Sequence, residues 1–315
     1  MEPTASGTRS PGMADDPIPV LINRGGGAAS RHGEALRDLL EQAFAAAGRG
    51  IALDLVDGAG MAAAATRVAD RPLVVVGGGD GTIGCAAGAL LKAGSTAALG
   101  VLPLGTRNHL AGELGMPADL AAAALAIVAG DTRRIDVGRV NGRLFVNNAS
   151  VGLYPELVRR REERQERGLP KWLANAPATW EALKRLRHHR LRLRLPGSTQ
   201  AIRTPLLFIG NNRYELALGR VGQRAALDDG VLSIYALGRS SRAGLIRTAI
   251  RTALGRADPD QDFAAVGEAD RFEVDVHAGA TDVALDGEVV RLASPLRFSI
   301  EAGALLVKVP KESAG

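Results

Sequence analysis

Short apolar runs alternate with Ala-rich stretches over the first 135 or so residues of this 315-residue chain. The pattern predicts strands at PVLIN, IALDLV, LVVVGG and AALGVLPLG, separated by helices that include those over about 35–47 and 83–92. Regular alternation of strands and helices favours a parallel sheet with crossover helices. We therefore predict an α/β domain over residues 17–137.

After Asp136 the apolar positions recur with a period of two. Runs such as RLFVNNASVG, LRLRL, PLLFIGNN, GVLSIYAL, RFEVDVH and LRFSI are separated by turn residues, a pattern typical of an antiparallel sheet. We predict an all-β sandwich domain over residues 138–315, with a basic helical insertion at about 155–190. Residues 1–16 lack the apolar segment of a signal peptide, and we predict that they form a disordered leader.

A glycine motif follows the third predicted strand of the α/β domain. Residues 77–82 read GGGDGT and precede a small-residue helix. Glycines let the backbone approach a ligand closely, and the N–H groups that open a helix can hold phosphate. A carboxylate there repels phosphate unless a cation lies between them, so Asp80 indicates a metal–nucleotide site or a proton-transfer role. The alternative is a tight turn in which Asp80 caps the helix.

Two further motifs change the interpretation of that loop. Residues 102–109 read LPLGTRNH, and residues 285–288, near the end of the chain, read LDGE. GGGDGT, PLGT-x-N and a late DGE, in that order, resemble the diacylglycerol kinase catalytic domain family, which includes sphingosine kinases and bacterial lipid kinases. The resemblance extends from about Val20 to Pro310. It implies an α/β nucleotide domain with a parallel sheet, a β-sandwich lipid domain, ATP as phosphate donor and a diacylglycerol- or sphingoid-type lipid alcohol as acceptor.

Four acidic residues are predicted to carry the chemistry. Phosphoryl transfer needs a base that takes the proton of the acceptor hydroxyl, and we predict Asp286 for this role. Glu288 is the second candidate for the base, or else a metal ligand or a residue that orients Asp286. The resemblance implies that Asp80 and Asp136 join Asp286 in a carboxylate–water–Mg²⁺ network. The family commonly has a fourth aspartate where this chain has His109.

The resemblance and the motifs also predict the residues that contact nucleotide and metal. Backbone donors of the glycine motif, together with nearby hydroxyl and amide groups, are expected to hold the nucleotide: Asn23, Gly77, Gly78, Gly79, Asp80, Gly81, Thr82, Thr106 and Asn108. A structural Mg²⁺ site is implied at Ala226, Asp229 and Val231. By itself the DDG at 228–230 predicts a hairpin turn, and the glycine triplet that the family has upstream is replaced here by LALG at 216–219.

The positive charge of the chain is concentrated in one segment. Residues 155–195 contain 12 Lys and Arg against five acidic residues, while the remainder has 27 basic and 29 acidic residues. Trp172 and Trp180 lie within that segment. Indoles among arginines indicate an interfacial anchor on an anionic membrane, over residues 159–194. Solvated helix faces are the alternative, and no motif supports a nucleic-acid partner.

Composition and motif content limit the classes of protein to which the chain can belong. The single cysteine, Cys85, excludes an internal disulfide, and no run of about 18 apolar residues predicts a membrane span. We predict a cytoplasmic protein at the inner face of the membrane and leave open whether it forms a homodimer. The alternatives to a lipid kinase are an NAD kinase-like enzyme, which shares the GGDG loop, and a nucleotide- or lipid-binding regulator with little turnover, which His109 favours. The absence of a G-x-x-x-x-G-K-[ST] motif argues against a P-loop kinase.

Overall fold

The computed structural model describes residues 16–25, 35–105, 108–152, 188–214, 224, 226–237 and 263–311. Within them the helices are α1 (Ala35–Ala46), α2 (Met61–Arg67), α3 (Asp80–Lys92), α4 (His109–Glu113) and α5 (Leu120–Ala129). The strands are β1 (Ile18–Asn23), β2 (Ile51–Val56), β3 (Leu73–Gly78), β4 (Ala98–Pro103), β5 (Asp131–Val140), β6 (Arg143–Phe145), β7 (Asn148–Gly152), β8 (His189–Leu195), β9 (Ser198–Thr204), β10 (Leu206–Asn211), β11 (Leu232–Leu237), β12 (Phe263–Ala269), β13 (Arg271–Val276), β14 (Ala280–Leu285), β15 (Glu288–Ala293) and β16 (Leu296–Val309).

The first four strands form the parallel half of a large sheet. They lie in the order β2-β1-β3-β4, with parallel pairing throughout. Strand β3 is almost wholly buried, as expected for a parallel strand covered on both faces. Because the carboxyl ends of parallel strands meet at one edge of the sheet, Asn23, Gly78 and Pro103 reach the same edge.

The C-terminal strand β16 pairs with strands of both domains, so that the sheet continues into the second domain. Val307 pairs in parallel with Leu99 of β4, while other parts of β16 pair antiparallel with β5 and β13. The register with β5 shifts between Glu301 and Leu305, where Gly303 has a φ of 59°. With β6, β8 and β9 the result is a ten-stranded sheet that crosses the predicted boundary at residue 138.

A second, antiparallel sheet packs against the part of the first sheet that lies beyond its parallel strands. Its order is β12-β11-β10-β7-β14-β15, and the apolar side chains between the two sheets form a core of their own. Phe272 and Phe298 stack there with ring centroids 4.8 Å apart. The predicted fold class, an α/β domain with a parallel sheet plus an all-β sandwich, is confirmed.

Parts of the predicted organisation fall outside the described residues. The leader, except for Asp16, and nearly all of the basic insertion at 155–190 are among them. None of the helices in the described ranges combines the length and apolar character needed to cross a bilayer.

The junction of β5 with β6 leaves no room for a side chain at Gly138. A Cβ built there would lie 2.2 Å from Cζ of the fully buried Phe145 ring. We expect Gly138→Ala to lower the free energy of unfolding by about 1–3 kcal/mol, because the buried ring must move. Chemical denaturation measures the change. Gly88→Ala is the control, since its Cβ meets only Leu144 at 3.6 Å; an equal loss in both variants would contradict the packing argument.

Candidate active site

Asp286 lies in the two-residue turn that joins β14 to β15. Asp286 and Gly287 have φ values of 49° and 93°, and Leu285 pairs with Glu288 across the turn. Two consecutive residues with positive φ are the requirement of a type I′ hairpin turn, which explains the Asp-Gly sequence. The turn brings the Asp286 side chain to the segment that joins β6 to β7.

Three consecutive backbone N–H groups hold the Asp286 carboxylate. The N–H of Val146 donates to Oδ2 at 2.8 Å, and those of Asn147 and Asn148 donate to Oδ1 at 2.8 and 3.1 Å. In addition, the Asp286 N–H donates to the Asn148 carbonyl at 3.0 Å. We call the three donors of residues 146–148 the amide nest. They fix the orientation of the carboxylate and favour its charged form.

Burial opposes the charge that the amide nest favours. Removal from water raises the pKa of Asp286 most, the three amide hydrogen bonds lower it, and the nearby charge of Asp80 raises it; together they place the pKa at about 7. A carboxylate with a pKa near neutrality can accept and release a proton under physiological conditions. The Asp286 carboxylate is therefore suited to proton transfer.

The first turns of helix α3 contact residues 286–288 of the second domain, which we call the acidic turn. A Cβ at Gly81 would lie 2.6 Å from Oε1 of Glu288, and one at Gly84 would lie 2.8 Å from Oδ2 of Asp286. The lack of side chains at these two helix positions lets both carboxylates approach the end of the helix where anions bind. The motif GGGDGT and the late DGE, over 200 residues apart, are thus parts of one site.

Asp80 joins the glycine motif to the second motif. Its Oδ2 accepts from the His109 N–H at 3.2 Å and its Oδ1 from the Leu110 N–H at 3.0 Å. The carboxylate therefore caps helix α4, not the helix that it begins. The two loops also touch directly, because a Cβ at Gly105 would lie 2.4 Å from the Cα of Gly79.

Three predicted nucleotide contacts have well-defined partners in the structure. The Asn23 amide at the end of β1 donates to the Thr82 hydroxyl at 3.0 Å, so these two residues are brought together as predicted for one site. The Asn108 amide instead braces its own loop: it donates to the carbonyls of Pro103 and Gly105 and accepts from the Gly105 N–H. Contact of any of these groups with nucleotide stays a prediction.

Asp136 is buried beneath the site. Its carboxylate accepts from the N–H of Gly230 at 2.8 Å and of Gly303 at 2.7 Å. These contacts tie the DDG loop and the bend of β16 to strand β5, at the boundary between the two domains. The membership of Asp136 in the Mg²⁺ network stays a prediction. The hydrogen bonds show that this residue also has a structural role.

The predicted structural metal ligands lie in that same loop. The Asp229 carboxylate is 3.7 Å from the Arg213 guanidinium, and the Val231 carbonyl accepts from the Asn212 N–H at 2.9 Å. A carboxylate and backbone carbonyls are oxygen donors of the kind that Mg²⁺ takes, so the donor set fits. The hydrogen bonds of Asp136 and Asn212 already give the loop a fixed shape.

A buried ion pair behind the amide nest was missed by the sequence analysis. Arg224 has a side-chain exposure of 1%, and its guanidinium binds Glu113 of helix α4 through both nitrogens of one edge. No local pattern connects two residues 111 positions apart. The nearest signal lies in the two Asn-Asn pairs, at 147–148 and 211–212: each stands at a strand end, and Asn147 and Asn211 both accept from Arg224.

Some predicted residues cannot be placed. Thr106 lies outside the described residues, as do Trp172 and Trp180. Among the side chains that the structure describes, no group of three or more His, Cys, Asp or Glu residues forms a metal site by itself.

Comparison with known proteins identifies relatives of the chain. The model of the diacylglycerol kinase catalytic domain matches residues 17–140. A Pseudomonas aeruginosa protein named "Probable lipid kinase YegS-like" is 33% identical over 243 residues, which are 76% of this chain and 77% of the relative. A protein of Bacillus subtilis named "Diacylglycerol kinase" is 29% identical over 77% of this chain and 79% of its own length.

Solved structures support the same fold. A diacylglycerol kinase from Bacillus anthracis superposes with a TM-score of 0.65 at 18% identity, over 93% of this chain and 96% of its own. Another structure from that organism gives a TM-score of 0.70 at 22% identity, over 93% and 97% of the two chains. Both extend across the two domains.

The environment of Asp286 gives a direct prediction. We expect its carboxyl group to titrate with a midpoint of about 7, protonated below that pH and charged above it, because burial and Asp80 outweigh the three amide donors. Carbon-13 NMR of protein labelled at the aspartate carboxyl carbons measures the midpoint. The signal is assigned by its loss in Asp286→Asn, and a midpoint near 4 would contradict the electrostatic argument.

Proposed function

Because this chain belongs to the diacylglycerol kinase catalytic domain family, we propose that it is an ATP-dependent lipid kinase, which transfers the γ-phosphate to a hydroxyl of a membrane lipid of the diacylglycerol or sphingoid type. One observation carries the proposal. The Asp286 carboxylate, fixed by the amide nest in the second domain, contacts Gly84 at the beginning of helix α3, directly after the glycine motif.

The glycine motif supplies the proposed phosphate site. The first N–H groups of a helix have no partner within the helix, and together with the helix dipole they favour phosphate. Helix α3 begins at Asp80, at the carboxyl edge of the parallel sheet, where ligands of such sheets bind. Asn23 and Thr82, which bind each other, flank the same edge.

The acidic residues at this edge fit a Mg²⁺ ion that arrives with the nucleotide. Mg²⁺ is usually bound by one or two carboxylates together with substrate phosphates, so a protein-only cluster of three ligands is not required. Asp80 and Glu288 are the residues that would hold it, with Asp286 beside them. When bound, the ion neutralises charge on the transferring phosphoryl group.

Asp286 acts as the general base in this proposal. Its charged carboxylate accepts the proton of the acceptor hydroxyl as the oxygen attacks the γ-phosphorus and the bond to ADP breaks. Since the base must be unprotonated, transfer should decline as the pH falls below about 7. The amide nest keeps the carboxylate aimed at the end of helix α3 while the proton moves.

The first test is transfer of label from γ-³²P-ATP with Mg²⁺ to diacylglycerol, sphingosine, ceramide and NAD. We expect a labelled lipid, and a loss of about 10²–10⁴-fold in Asp286→Asn, since that range is typical for removal of a general base. The exposed Asp270→Asn is the matched control. Label in NADP would favour the NAD kinase alternative, and bound ATP with no transfer at all would favour the regulator.

We also propose that the enzyme binds anionic membranes through the basic region 159–194. The described part of that region is strand β8, on which Arg190, Arg192 and Arg194 alternate with buried leucines. Arg194 pairs with Asp275 at 2.6 Å, whereas Arg190 lies beside Arg203 of β9 in the sheet register. This exposed face adds positive charge to the segment that contains Trp172.

Vesicle sedimentation tests the membrane proposal. We expect Arg190→Glu with Arg192→Glu to weaken binding to vesicles rich in phosphatidylglycerol, because each basic residue near the surface contributes about 1 kcal/mol of attraction to anionic lipid. Trp172→Ala should weaken binding separately, because it removes an indole that anchors at the membrane interface. Arg37→Glu on helix α1 is the control. Binding that is unchanged in both test variants would exclude this surface as the anchor.

A further inference from the structure

Arg224 is the most completely bonded charged side chain near the site. Its Nε donates to both carboxylate oxygens of Glu113 at 3.1 Å, and its Nη2 donates to Glu113 and to Oδ1 of Asn147, the latter at 2.9 Å. Its Nη1 donates to the carbonyls of Val146 at 2.7 Å and Asn211 at 3.3 Å. Two of its partners, Val146 and Asn147, belong to the amide nest.

The contact with the Val146 carbonyl reaches Asp286 through a single peptide group. That carbonyl and the N–H of Asn147 are the two ends of one planar peptide unit, and the N–H donates to Asp286 Oδ1. A charged donor on the carbonyl polarises the unit and strengthens donation from its N–H. The guanidinium therefore acts on the Asp286 carboxylate although it does not touch it.

The nest segment depends on side chains for its shape. Residues 146 and 147 lie between β6 and β7. Asn211 donates to the Val146 carbonyl at 2.8 Å, and the Tyr214 hydroxyl donates to the Asn147 carbonyl at 3.0 Å. Of these partners, Arg224 alone brings a full charge.

Helix α4 connects this arrangement to the glycine motif. Asp80 accepts from the first N–H groups of the helix, at His109 and Leu110, and Glu113, its last residue, binds Arg224. The helix is five residues long, which is about 7 Å. Asp80 and Asp286 are thereby linked through helix α4, the Glu113–Arg224 pair and the amide nest.

We propose that Arg224 is a positioning residue: anchored by Glu113, it holds the amide nest of residues 146–148 in the geometry that aims Asp286 at the nucleotide end of helix α3. The inference rests on the proposed function, since it assigns Arg224 a role in the same transfer. Helix α4 makes the distance between the two halves of the site depend on the Glu113–Arg224 contact.

A purely stabilising role explains the pair poorly. Buried ion pairs often contribute little net stability, because the loss of hydration offsets the attraction, and apolar replacement of both partners is frequently neutral or stabilising. Removal of one partner leaves the other charge buried and unpaired, which is costly. The informative variant therefore removes both charges together.

The test compares Arg224→Met with Glu113→Leu, as a double variant, against Arg67→Met with Asp54→Leu, an exposed Arg–Asp pair in the first domain. Label transfer to diacylglycerol, sphingosine and ceramide gives kcat and the KM for ATP. We expect kcat to fall about 10- to 100-fold in the first double variant, the scale of a misplaced catalytic group, with KM for ATP within twofold and the thermal midpoint preserved. The control should match the wild type.

Hydrogen exchange supplies a readout that does not depend on activity. We expect faster exchange at the amides of 146–148 in the double variant, since the segment that carries them is no longer held against the carboxylate, and unchanged exchange in β1–β4. Wild-type kcat and wild-type exchange would overturn the proposal. Full transfer by Asp286→Asn would refute Asp286 as the base, and no transfer to any lipid by the wild type would refute the proposed function. In either case the exchange result would still decide whether Arg224 shapes the nest.

Arg224→Lys covers the case in which the double variant does not fold. Lysine keeps the charge but not the planar fork that binds Glu113, Val146 and Asn147 together. We expect a smaller loss of kcat, with KM for ATP unchanged and intermediate exchange at 146–148. Wild-type values for both kcat and exchange in this variant would overturn the positioning role.

Discussion

The burial of one carboxylate determines much of the arrangement around it. A charged group taken out of water needs compensating donors, and Asp286 receives them from three successive peptide N–H groups. These peptides lie where the chain leaves β6 and enters β7. The carbonyls of Val146 and Asn147 need donors of their own. Asn211, Tyr214 and Arg224 supply these donors. One acidic side chain thus sets a requirement for a shell of polar residues behind it.

The same requirement explains why the site needs both domains. The amide nest and the acidic turn belong to the antiparallel sheets, whereas the glycine motif belongs to the parallel one. Strand β16 runs through both parts, and Asp136 fastens its bend at Gly303. Val146, the first residue of the nest, and Leu227, next to the DDG loop, are buried in the core of the first domain. The position of Asp286 relative to helix α3 is therefore fixed by packing as well as by hydrogen bonds.

The sequence allowed the fold class and the main motifs to be predicted because their signals are local. Strand and helix periodicity, the glycines and the Asp-Gly turn each depend on a few neighbouring residues. The role of Asn108 could not be anticipated, since an amide can bind either a ligand or its own loop with the same chemistry. Neither Glu113 nor Arg224 gave a signal of its own: a charge in a short helix is ordinarily solvated, and only the folded chain brings these two side chains together.

The placement of Asp286 also has a thermodynamic consequence. Its pKa in the folded protein is about 7, above the ordinary aspartate value of 3.8, so the folded state binds this proton more tightly than the unfolded state does. The stabilisation that Asp286 contributes is therefore present below about pH 4 and is lost as the pH rises through 7, with each pKa unit worth about 1.4 kcal/mol. At a pH where Asp286 is charged, the fold bears the cost of that charge. The amide nest, and the guanidinium that polarises it, reduce this cost, because they bind the charged form of the carboxylate better than the neutral form.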